Sequence, residues 1–140
     1  MFSNRRSLRI EWGDCDPAGI VFYPRYFAMF DHSTVLLIER ALGMSKHRMY
    51  ETYDFGGYPS VAARARFLIP TRYGDDVIID TSITEVGRSS FSLTHRLTKD
   101  GALAVEGFET RAWVVRDPDR RGGLRAVPMP EDVVERFKTG

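Results

Sequence analysis

The feature that most constrains the fold of this chain is one long helical pattern near its N-terminus. Apolar and small residues recur at helical spacing between about residues 24 and 42, and they are Phe27, Phe30, Thr34, Leu37 and Ala41. Pro24 suits the first helical position, where its missing N–H costs nothing, and Gly43 is a typical stop. The pattern predicts one amphipathic helix of about five turns.

Alternating apolar and polar residues occupy most of the remaining chain and predict strands. The predicted strands cover residues 7–12, 61–69, 77–84, 91–97, 103–115 and 124–127, and a short helix covers residues 131–138. The apolar face of the first strand is predicted to carry Leu8, Ile10 and Trp12. Asp100-Gly101 is a hairpin turn signal, and a phase shift at Gly107 predicts a bulge or bend in the longest strand. Residues 45–53 have no clear pattern.

The order of these elements is a strand, a long helix and then a run of antiparallel strands, which predicts an α+β fold with one dominant helix. A sheet rolled around that helix would bury the apolar helix face. One helix and one sheet make a thin core for 140 residues, and the edge strands need covering. Pairing two sheets across a dimer would satisfy both needs. We therefore expect a homo-oligomer in which residues 1–140 form a single domain.

Composition argues against several classes of protein. Lys and Arg total 20 against 19 Asp and Glu, a net charge of +1, so we expect no nucleic-acid partner. The single cysteine excludes an intrachain disulfide and suits a reducing compartment. No apolar signal core follows Arg5 and Arg6, and no apolar run approaches the roughly 18 residues of a membrane helix. We expect a cytoplasmic protein without a membrane partner.

The segment that carries chemistry is a turn-rich loop leading into the long helix. Asp14 and Asp16 flank the thiol of Cys15, and Tyr23 stands at the expected helix cap. Tyrosine has no short side-chain acceptor for the first helical N–H groups, so those donors are free to polarise a ligand carbonyl. A carboxylate nearby can attack that carbonyl or activate a water. These are the parts needed for acyl transfer, although an Asp-rich turn that only stabilises itself has the same composition.

Residues 13–24, Gly-Asp-Cys-Asp-Pro-Ala-Gly-Ile-Val-Phe-Tyr-Pro, resemble the active-site signature of the 4-hydroxybenzoyl-CoA thioesterase family. Weaker similarity extends over most of the chain, including Ser90-Phe91 with His95 beyond, and residues 124–126. The resemblance implies a hot-dog fold, active sites at subunit interfaces, no metal and no redox cofactor. It also implies hydrolysis of an acyl-CoA thioester, with the catalytic aspartate at Asp16 and the carbonyl-polarising backbone N–H at Tyr23.

Two groups of residues are candidates for substrate contacts. The aromatic residues near the loop are compatible with stacking on an aromatic acyl group and equally with core packing, and they are Phe22, Tyr23, Tyr26 and Phe27. The phosphates of coenzyme A call for basic residues near the mouth of the site. Arg88, with Ser89 and Ser90 beside it, lies in a turn whose counterpart in the family is near the CoA-binding surface. A second basic group comprises Arg116, Arg120, Arg121 and Arg125.

Other titratable residues are assigned structural roles. Cys15 is the rival nucleophile, because a thiol in a loop near a helix start can be acidified, but no histidine lies close in sequence to act as its base. Asp14 is expected to stabilise the turn rather than to act as a second catalytic acid. Asp31, on the helix, is expected to be solvated, to lie at an interface or to pair with an arginine. The three histidines lack metal-ligand spacing, and His95 falls on the apolar face of its strand, as a core residue would.

The leading functional prediction is hydrolysis of an aromatic acyl-CoA, with 4-hydroxybenzoyl-CoA as the first candidate. A thioesterase for short aliphatic acyl-CoAs is the closest alternative. A non-catalytic acyl-CoA-binding module would not need a carboxylate at Asp16. A dehydratase of the same fold normally pairs a carboxylate with a histidine, and no such motif lies near Asp16.

Overall fold

A five-stranded antiparallel sheet packs against one long helix in the computed structural model, which describes residues 1–140. The elements in chain order are β1 (Ser3–Arg9), a 3-10 turn (Trp12–Asp14), α1 (Pro24–Leu42), α2 (Lys46–Thr52), β2 (Ser60–Phe67), β3 (Asp76–Val86), β4 (Ser90–Lys99), β5 (Ala102–Ala112), β6 (Val114–Arg116), β7 (Leu124–Ala126) and α3 (Glu131–Lys138). The sheet order is β1-β3-β4-β5-β2, and β6 and β7 form a separate hairpin. The predicted α+β fold with one dominant helix is confirmed.

Helix α1 has the predicted bounds. It begins at Pro24 and is followed by Gly43, whose φ of 66° lies in the left-handed region that terminates helices. The core-facing residues Phe30, Thr34, Leu37 and Ala41 are buried as predicted. Burial of a residue such as Leu37 contributes about 1.5–3 kcal/mol. The prediction for Phe27 was wrong in part, because this ring is only half-buried and faces Phe67 of the edge strand β2 at 6.5 Å.

The alternation in the second half of the chain corresponds to the inner and outer faces of β3 and β4. One face of each strand is buried and carries most of the apolar residues together with Thr81 and His95, and the other face is more exposed. The predicted hairpin at Asp100-Gly101 is present: φ values of 50° and 78° define a two-residue turn, and Lys99 pairs with Ala102 across it. The terminal helix at residues 131–138 is also present.

One local prediction near the N-terminus was wrong, and one segment after α1 that had no prediction forms a helix. The first strand is Ser3–Arg9 and not residues 7–12, and Trp12 is 75% exposed instead of lying inward. The reason is a reciprocal capping arrangement between Glu11 and Asp14, which turns the chain into the 3-10 helix. Residues 46–52, which lacked a clear pattern, form α2 because Ser45 caps the Arg48 N–H.

The long strand predicted over residues 103–115 is divided differently. Strand β5 ends at Ala112, and β6 is a separate strand. The pairing of β4 with β5 shifts register between Leu97 and Thr98, and not at Gly107, which pairs in register with His95. Gly107 serves another purpose: a Cβ there would lie 2.6 Å from the ring of Phe30, so only glycine lets α1 approach the sheet this closely.

The two edge strands of the sheet differ in exposure: β1 alternates between exposed and partly buried residues, whereas β2 is exposed along nearly its whole length. Edge strand β2 is hydrogen-bonded to β5 alone, and nearly all of its residues are exposed, including Val61 and Phe67.

No helix in the structure is both long and apolar enough to cross a membrane.

Candidate active site

Asp16 sits at the tip of a small hairpin that leads into α1. Cys15 and Val21 pair across this hairpin, and the Asp16 N–H donates to Ile20 O at 2.9 Å. The Gly19 N–H donates back to Asp16 O at 2.9 Å. Backbone hydrogen bonds therefore close the four-residue turn 16–19. They fix the backbone conformation from which the Asp16 side chain projects.

The carboxylate of Asp16 is only partly used by the protein. Its Oδ1 accepts the Ala18 N–H at 2.8 Å, so the turn-stabilising role considered for this residue is present. Its Oδ2 has no hydrogen-bond partner within the chain. Asp16 is half-buried and lines an open cavity together with Cys15, Phe22 and Arg25. One carboxylate oxygen thus remains available to a substrate or a water.

The backbone at the start of α1 offers one free donor. Tyr23 is the cap residue, with no side-chain cap hydrogen bond, and its own N–H makes no hydrogen bond within the chain. The Arg25 N–H donates to Phe22 O at 2.8 Å, and the Tyr26 N–H to Tyr23 O at 3.1 Å. Phe22 O and the Tyr23 N–H belong to one planar trans peptide, so holding the oxygen aims the N–H the opposite way. The helix start therefore presents a single oriented N–H, where the sequence suggested several free donors.

An apolar groove lies beside this donor. Its volume is about 320 Å³, and it is lined by Ile20, Val21, Tyr23, Tyr26, Phe67, Leu68, Ile69 and Pro70. The Tyr23 and Tyr26 rings lie 6.0 and 5.8 Å from the Phe67 ring. Of the four aromatic residues predicted to bind substrate, Tyr23 and Tyr26 line this groove, Phe22 lines the Asp16 cavity, and Phe27 packs on Phe67. An apolar acyl or pantetheine segment fits such a lining.

The predicted coenzyme A contacts lie elsewhere in the chain. Arg88, Ser89 and Ser90 are at the turn between β3 and β4. The Asp16 hairpin is bridged to Arg72, just before β3 begins. The length of β3 separates them by roughly 30 Å. One chain therefore does not bring these two groups together.

The second basic group lies on the β6–β7 hairpin and the loop between its strands. Arg116, Arg120, Arg121 and Arg125 are all exposed. Arg125 of β7 donates to Asp117 of the loop at 3.2 Å.

A buried polar network that the sequence did not reveal crosses the sheet beneath α1. His95 bonds Thr81 Oγ1 through Nδ1 at 2.8 Å, and its Nε2 lies 3.4 Å from Glu109, which also accepts from Thr34. Glu109 and Arg111 form an ion pair at 3.2 Å. His95 is thus the hydrogen-bonded core histidine that its position predicted.

The charges in this network stabilise one another. Burial opposes ionisation of Glu109, but hydrogen bonds from His95 and Thr34 and the charge of Arg111 outweigh it and lower the pKa of Glu109 to about 2. Arg111 also pairs with Asp31 of α1 at 2.7 Å, which is the arginine partner that was one expectation for Asp31. The network ties α1 to the middle of the sheet and does not reach the Asp16 hairpin.

The remaining residues of the loop have structural contacts. Asp14 Oδ2 accepts the Glu11 N–H at 2.9 Å, which agrees with a turn-stabilising role. The Cys15 thiol is directed to Glu11 O at 3.7 Å. The antiparallel sheet around one long helix is the architecture of a hot-dog fold, and the Asp16 hairpin lies at the start of its central helix.

Comparison with known proteins agrees with this class. The model of the thioesterase-like superfamily matches residues 10–137. The 4-hydroxybenzoyl-CoA thioesterase of Pseudomonas sp. (strain CBS-3) is 35% identical over 133 residues, covering 91% of this chain and 92% of that protein. The chain therefore belongs to the thioesterase-like superfamily, and the family predicted from the sequence is confirmed.

Solved structures show the same relationship. A 4-hydroxybenzoyl-CoA thioesterase variant in complex with 4-hydroxybenzoyl-CoA matches with a TM-score of 0.87 and 32% identity, covering 99% of this chain and 100% of that one. A gentisyl-coenzyme A thioesterase matches with a TM-score of 0.81 and 32% identity, covering 93% and 98%. The hot-dog fold is confirmed, and acyl-CoA thioester hydrolysis is the activity named for these relatives.

Proposed function

We propose that this protein hydrolyses an acyl-CoA thioester to the free acid and coenzyme A, with Asp16 as its catalytic carboxylate. The observation that carries the proposal is the pairing of a carboxylate with one unbonded oxygen and the unbonded Tyr23 N–H at a helix start. Both groups belong to one short segment whose backbone is fixed by hydrogen bonds. The membership in the thioesterase-like superfamily supports the same chemistry.

The mechanism follows from what each group can do. The thioester oxygen accepts the Tyr23 N–H, where the positive end of the α1 dipole favours the growing negative charge. Asp16 Oδ2 either attacks the carbonyl carbon and forms an anhydride, or removes a proton from an attacking water. In both routes the carbon–sulfur bond breaks, and coenzyme A leaves as a thiolate. In the anhydride route a water then hydrolyses the anhydride, which releases the free acid and restores the Asp16 carboxylate. The Ala18 N–H holds Oδ1 and so orients the reacting oxygen.

The first candidate substrate is 4-hydroxybenzoyl-CoA. Two observations support an aromatic acyl group: the apolar groove beside Tyr23 with its aromatic rings, and relatives at 32–35% identity named for 4-hydroxybenzoyl-CoA and gentisyl-CoA. A short aliphatic acyl-CoA is the main competitor, because an apolar groove also accepts an aliphatic chain.

Thiol release from a panel of acyl-CoAs tests the proposal. The panel contains the 4-hydroxybenzoyl, benzoyl, phenylacetyl, butyryl and palmitoyl thioesters. We expect Asp16→Asn to keep the fold and to lose turnover by orders of magnitude. Asp14→Asn is the matched control. The Asp14 carboxylate accepts the Glu11 N–H and stabilises the turn, so we expect this variant to keep the wild-type kcat. An Asp16→Asn variant with wild-type activity would exclude this carboxylate from catalysis.

The same assay separates the alternatives. A non-catalytic acyl-CoA-binding module binds the panel without releasing thiol. A dehydratase changes enoyl absorbance without releasing thiol. Preference for butyryl-CoA over all three aromatic thioesters would assign the protein to short aliphatic substrates.

We also propose that the protein is a homo-oligomer, at least a dimer and most simply a tetramer of two dimers. The exposed edge strand β2 with Val61 and Phe67 offers unpaired backbone groups and apolar surface to a second copy. The separation between Asp16 and the Arg88 turn gives a second reason, because a partner chain can supply the coenzyme A contacts. Light scattering should give about four times the 16.0 kDa mass of one chain. The mass of a single chain would contradict assembly.

We further propose that residues 1–140 act as one thioesterase domain in the cytoplasm. The family match over residues 10–137 leaves little of the chain outside the domain. The lone Cys15 suits a reducing compartment. Cell fractionation with an antibody against the protein would test the location.

A further inference from the structure

Two buried polar side chains lie beneath the candidate active site and take no part in the proposed chemistry. Thr71 is fully buried, and Tyr26 is 4% exposed. The Tyr26 hydroxyl lies 2.6 Å from Thr71 Oγ1 and also accepts the Thr71 N–H at 3.3 Å. The hydroxyl of Tyr26 is therefore held by Thr71, although the ring lines the apolar groove.

Thr71 is connected to the Asp16 hairpin through its backbone. Thr71 O accepts the Val21 N–H at 2.9 Å, and the adjacent Arg72 pairs with Ile20. Ile20 O in turn accepts the Asp16 N–H. One strand of the hairpin is thus paired with residues 71 and 72, and this pairing fixes the position of the hairpin relative to the sheet.

Thr71 is connected to the start of α1 through Tyr26. Tyr26 lies in the first turn of α1, and its N–H donates to Tyr23 O at 3.1 Å. A fixed Tyr26 ring therefore fixes the first helical turn, and with it the peptide that carries the Tyr23 N–H. Thr71 uses its N–H, its C=O and its hydroxyl to join the two halves of the site.

We propose that Thr71, acting through Tyr26, is a positioning residue for the hydrolysis: it sets the Asp16 carboxylate against the Tyr23 N–H. This inference rests on the proposed function. The physical reason is that attack needs the reacting atoms within about 3–3.5 Å, so a small displacement of one half of the site slows chemistry more than it weakens binding. The hydrogen bond between the two hydroxyls prevents such a displacement. Both side chains are buried, so solvent cannot replace the bond if it is lost.

Three substitutions separate positioning from packing. Thr71→Val keeps the shape and both backbone hydrogen bonds but removes the hydroxyl. Thr71→Ser keeps the hydroxyl and removes the methyl group. Tyr26→Phe removes the other hydroxyl of the pair. We expect Thr71→Val and Tyr26→Phe each to lower kcat about tenfold with KM changed less than about twofold. Thr71→Ser should restore most of kcat.

The matched control is Thr81→Val. Thr81 is equally buried and also loses a single hydroxyl bond, to His95 Nδ1 at 2.8 Å, but it lies in β3 away from the hairpin. Thr81→Val should lose stability to the same extent as Thr71→Val while its kcat stays at the wild-type value. Combining Thr71→Val with Tyr26→Phe should lower kcat no further than Tyr26→Phe alone, because Tyr26→Phe already removes the hydroxyl that bonds both Thr71 Oγ1 and the Thr71 N–H.

The experiment measures kcat and KM of these variants with the panel thioester that the wild-type protein hydrolyses fastest, and Asp16→Asn is measured beside them. If Asp16→Asn is inactive while Thr71→Val and Thr81→Val have equal kcat values, the positioning role is overturned and the proposed function stands. Failure of Thr71→Ser to recover kcat overturns it as well. An active Asp16→Asn variant overturns the proposed function instead.

Amide hydrogen exchange supplies a readout that needs no substrate. Thr71→Val should raise exchange in the peptide covering residues 14–23 relative to wild type, and Thr81→Val should leave that peptide unchanged. Equal exchange in the two variants would overturn the positioning role whatever the activity results are.

Discussion

The close approach of Phe30 in α1 to Gly107 in β5 gives a quantitative prediction for the variant Gly107→Ala. A Cβ at this position would lie 2.6 Å from Phe30 Cε2 and 2.7 Å from Cδ2. Carbon atoms normally approach to about 3.5 Å, so the overlap is about 0.9 Å. The Phe30 ring cannot retreat, because it is 2% exposed and stacks on the His95 ring at 4.7 Å with an interplanar angle of 9°.

The magnitude combines two opposing effects. Overpacking a core contact costs about 1–3 kcal/mol, and this overlap with an immobile ring belongs at the upper end. Replacing glycine by alanine within a strand returns about 0.5–1 kcal/mol of backbone entropy. The expected net loss is about 2 kcal/mol. For a chain of 140 residues this lowers Tm by roughly 8 °C.

Urea and thermal unfolding of Gly107→Ala measure this loss. Gly13→Ala is the control, because no atom lies within 4 Å of its Cβ position, and its stability should change by less than about 0.5 kcal/mol. Phe30→Leu in the Gly107→Ala background should recover part of the loss, with a coupling of about 0.5–3 kcal/mol. If Gly107→Ala is as stable as Gly13→Ala, the close approach of α1 to the sheet at this point is refuted.

Three further predictions concern stability. The folded-state pKa of Glu109, about 2, lies below its ordinary 4.5, so its stabilising effect is full above pH 4.5 and is lost as pH falls toward 2. Urea unfolding should show that the free energy of unfolding falls by at most about 3 kcal/mol between pH 4.5 and pH 2 because of this group. In Glu109→Gln the free energy of unfolding should depend less steeply on pH in that range. Gly43→Ala places a side chain at φ 66° and should cost about 1 kcal/mol in thermal unfolding. Tyr53→Phe removes a 2.7 Å hydrogen bond to Asp132 and should cost about 1 kcal/mol, whereas Tyr50→Phe, which lacks such a bond, should cost less.

The elements that were predicted correctly have strong local signals. Helix α1 is bounded by Pro24 and Gly43, and the β4–β5 hairpin is bounded by Asp100-Gly101, because each of these residues has a restricted or unusual backbone preference. The prediction that failed for the first strand depended on side-chain capping, which apolar alternation does not reveal. Trp12 is on the correct alternation to face inward, yet a local capping arrangement ends the strand before it.

The candidate site divides in the same way. Asp16, Tyr23 and the segment between them lie within one short stretch, so a resemblance over residues 13–24 could identify them. Thr71 lies 45 residues from its partner Tyr26, and no local pattern marks a threonine after Pro70. Likewise, Glu109 and Arg111 occupy alternate positions of β5, and their pattern gave no sign that both face inward to form a buried ion pair.

The sequence by itself determined the order of helix and strands, the family and the loop that carries the aspartate, because periodicity, turn residues and a contiguous motif are local properties of a chain. The tertiary structure decided how closely α1 approaches Gly107, which charges share the buried network, and which side chain links the Asp16 hairpin to the helix start. These contacts join residues far apart in sequence, and their geometry is set by packing of the whole sheet against α1, which no single segment specifies.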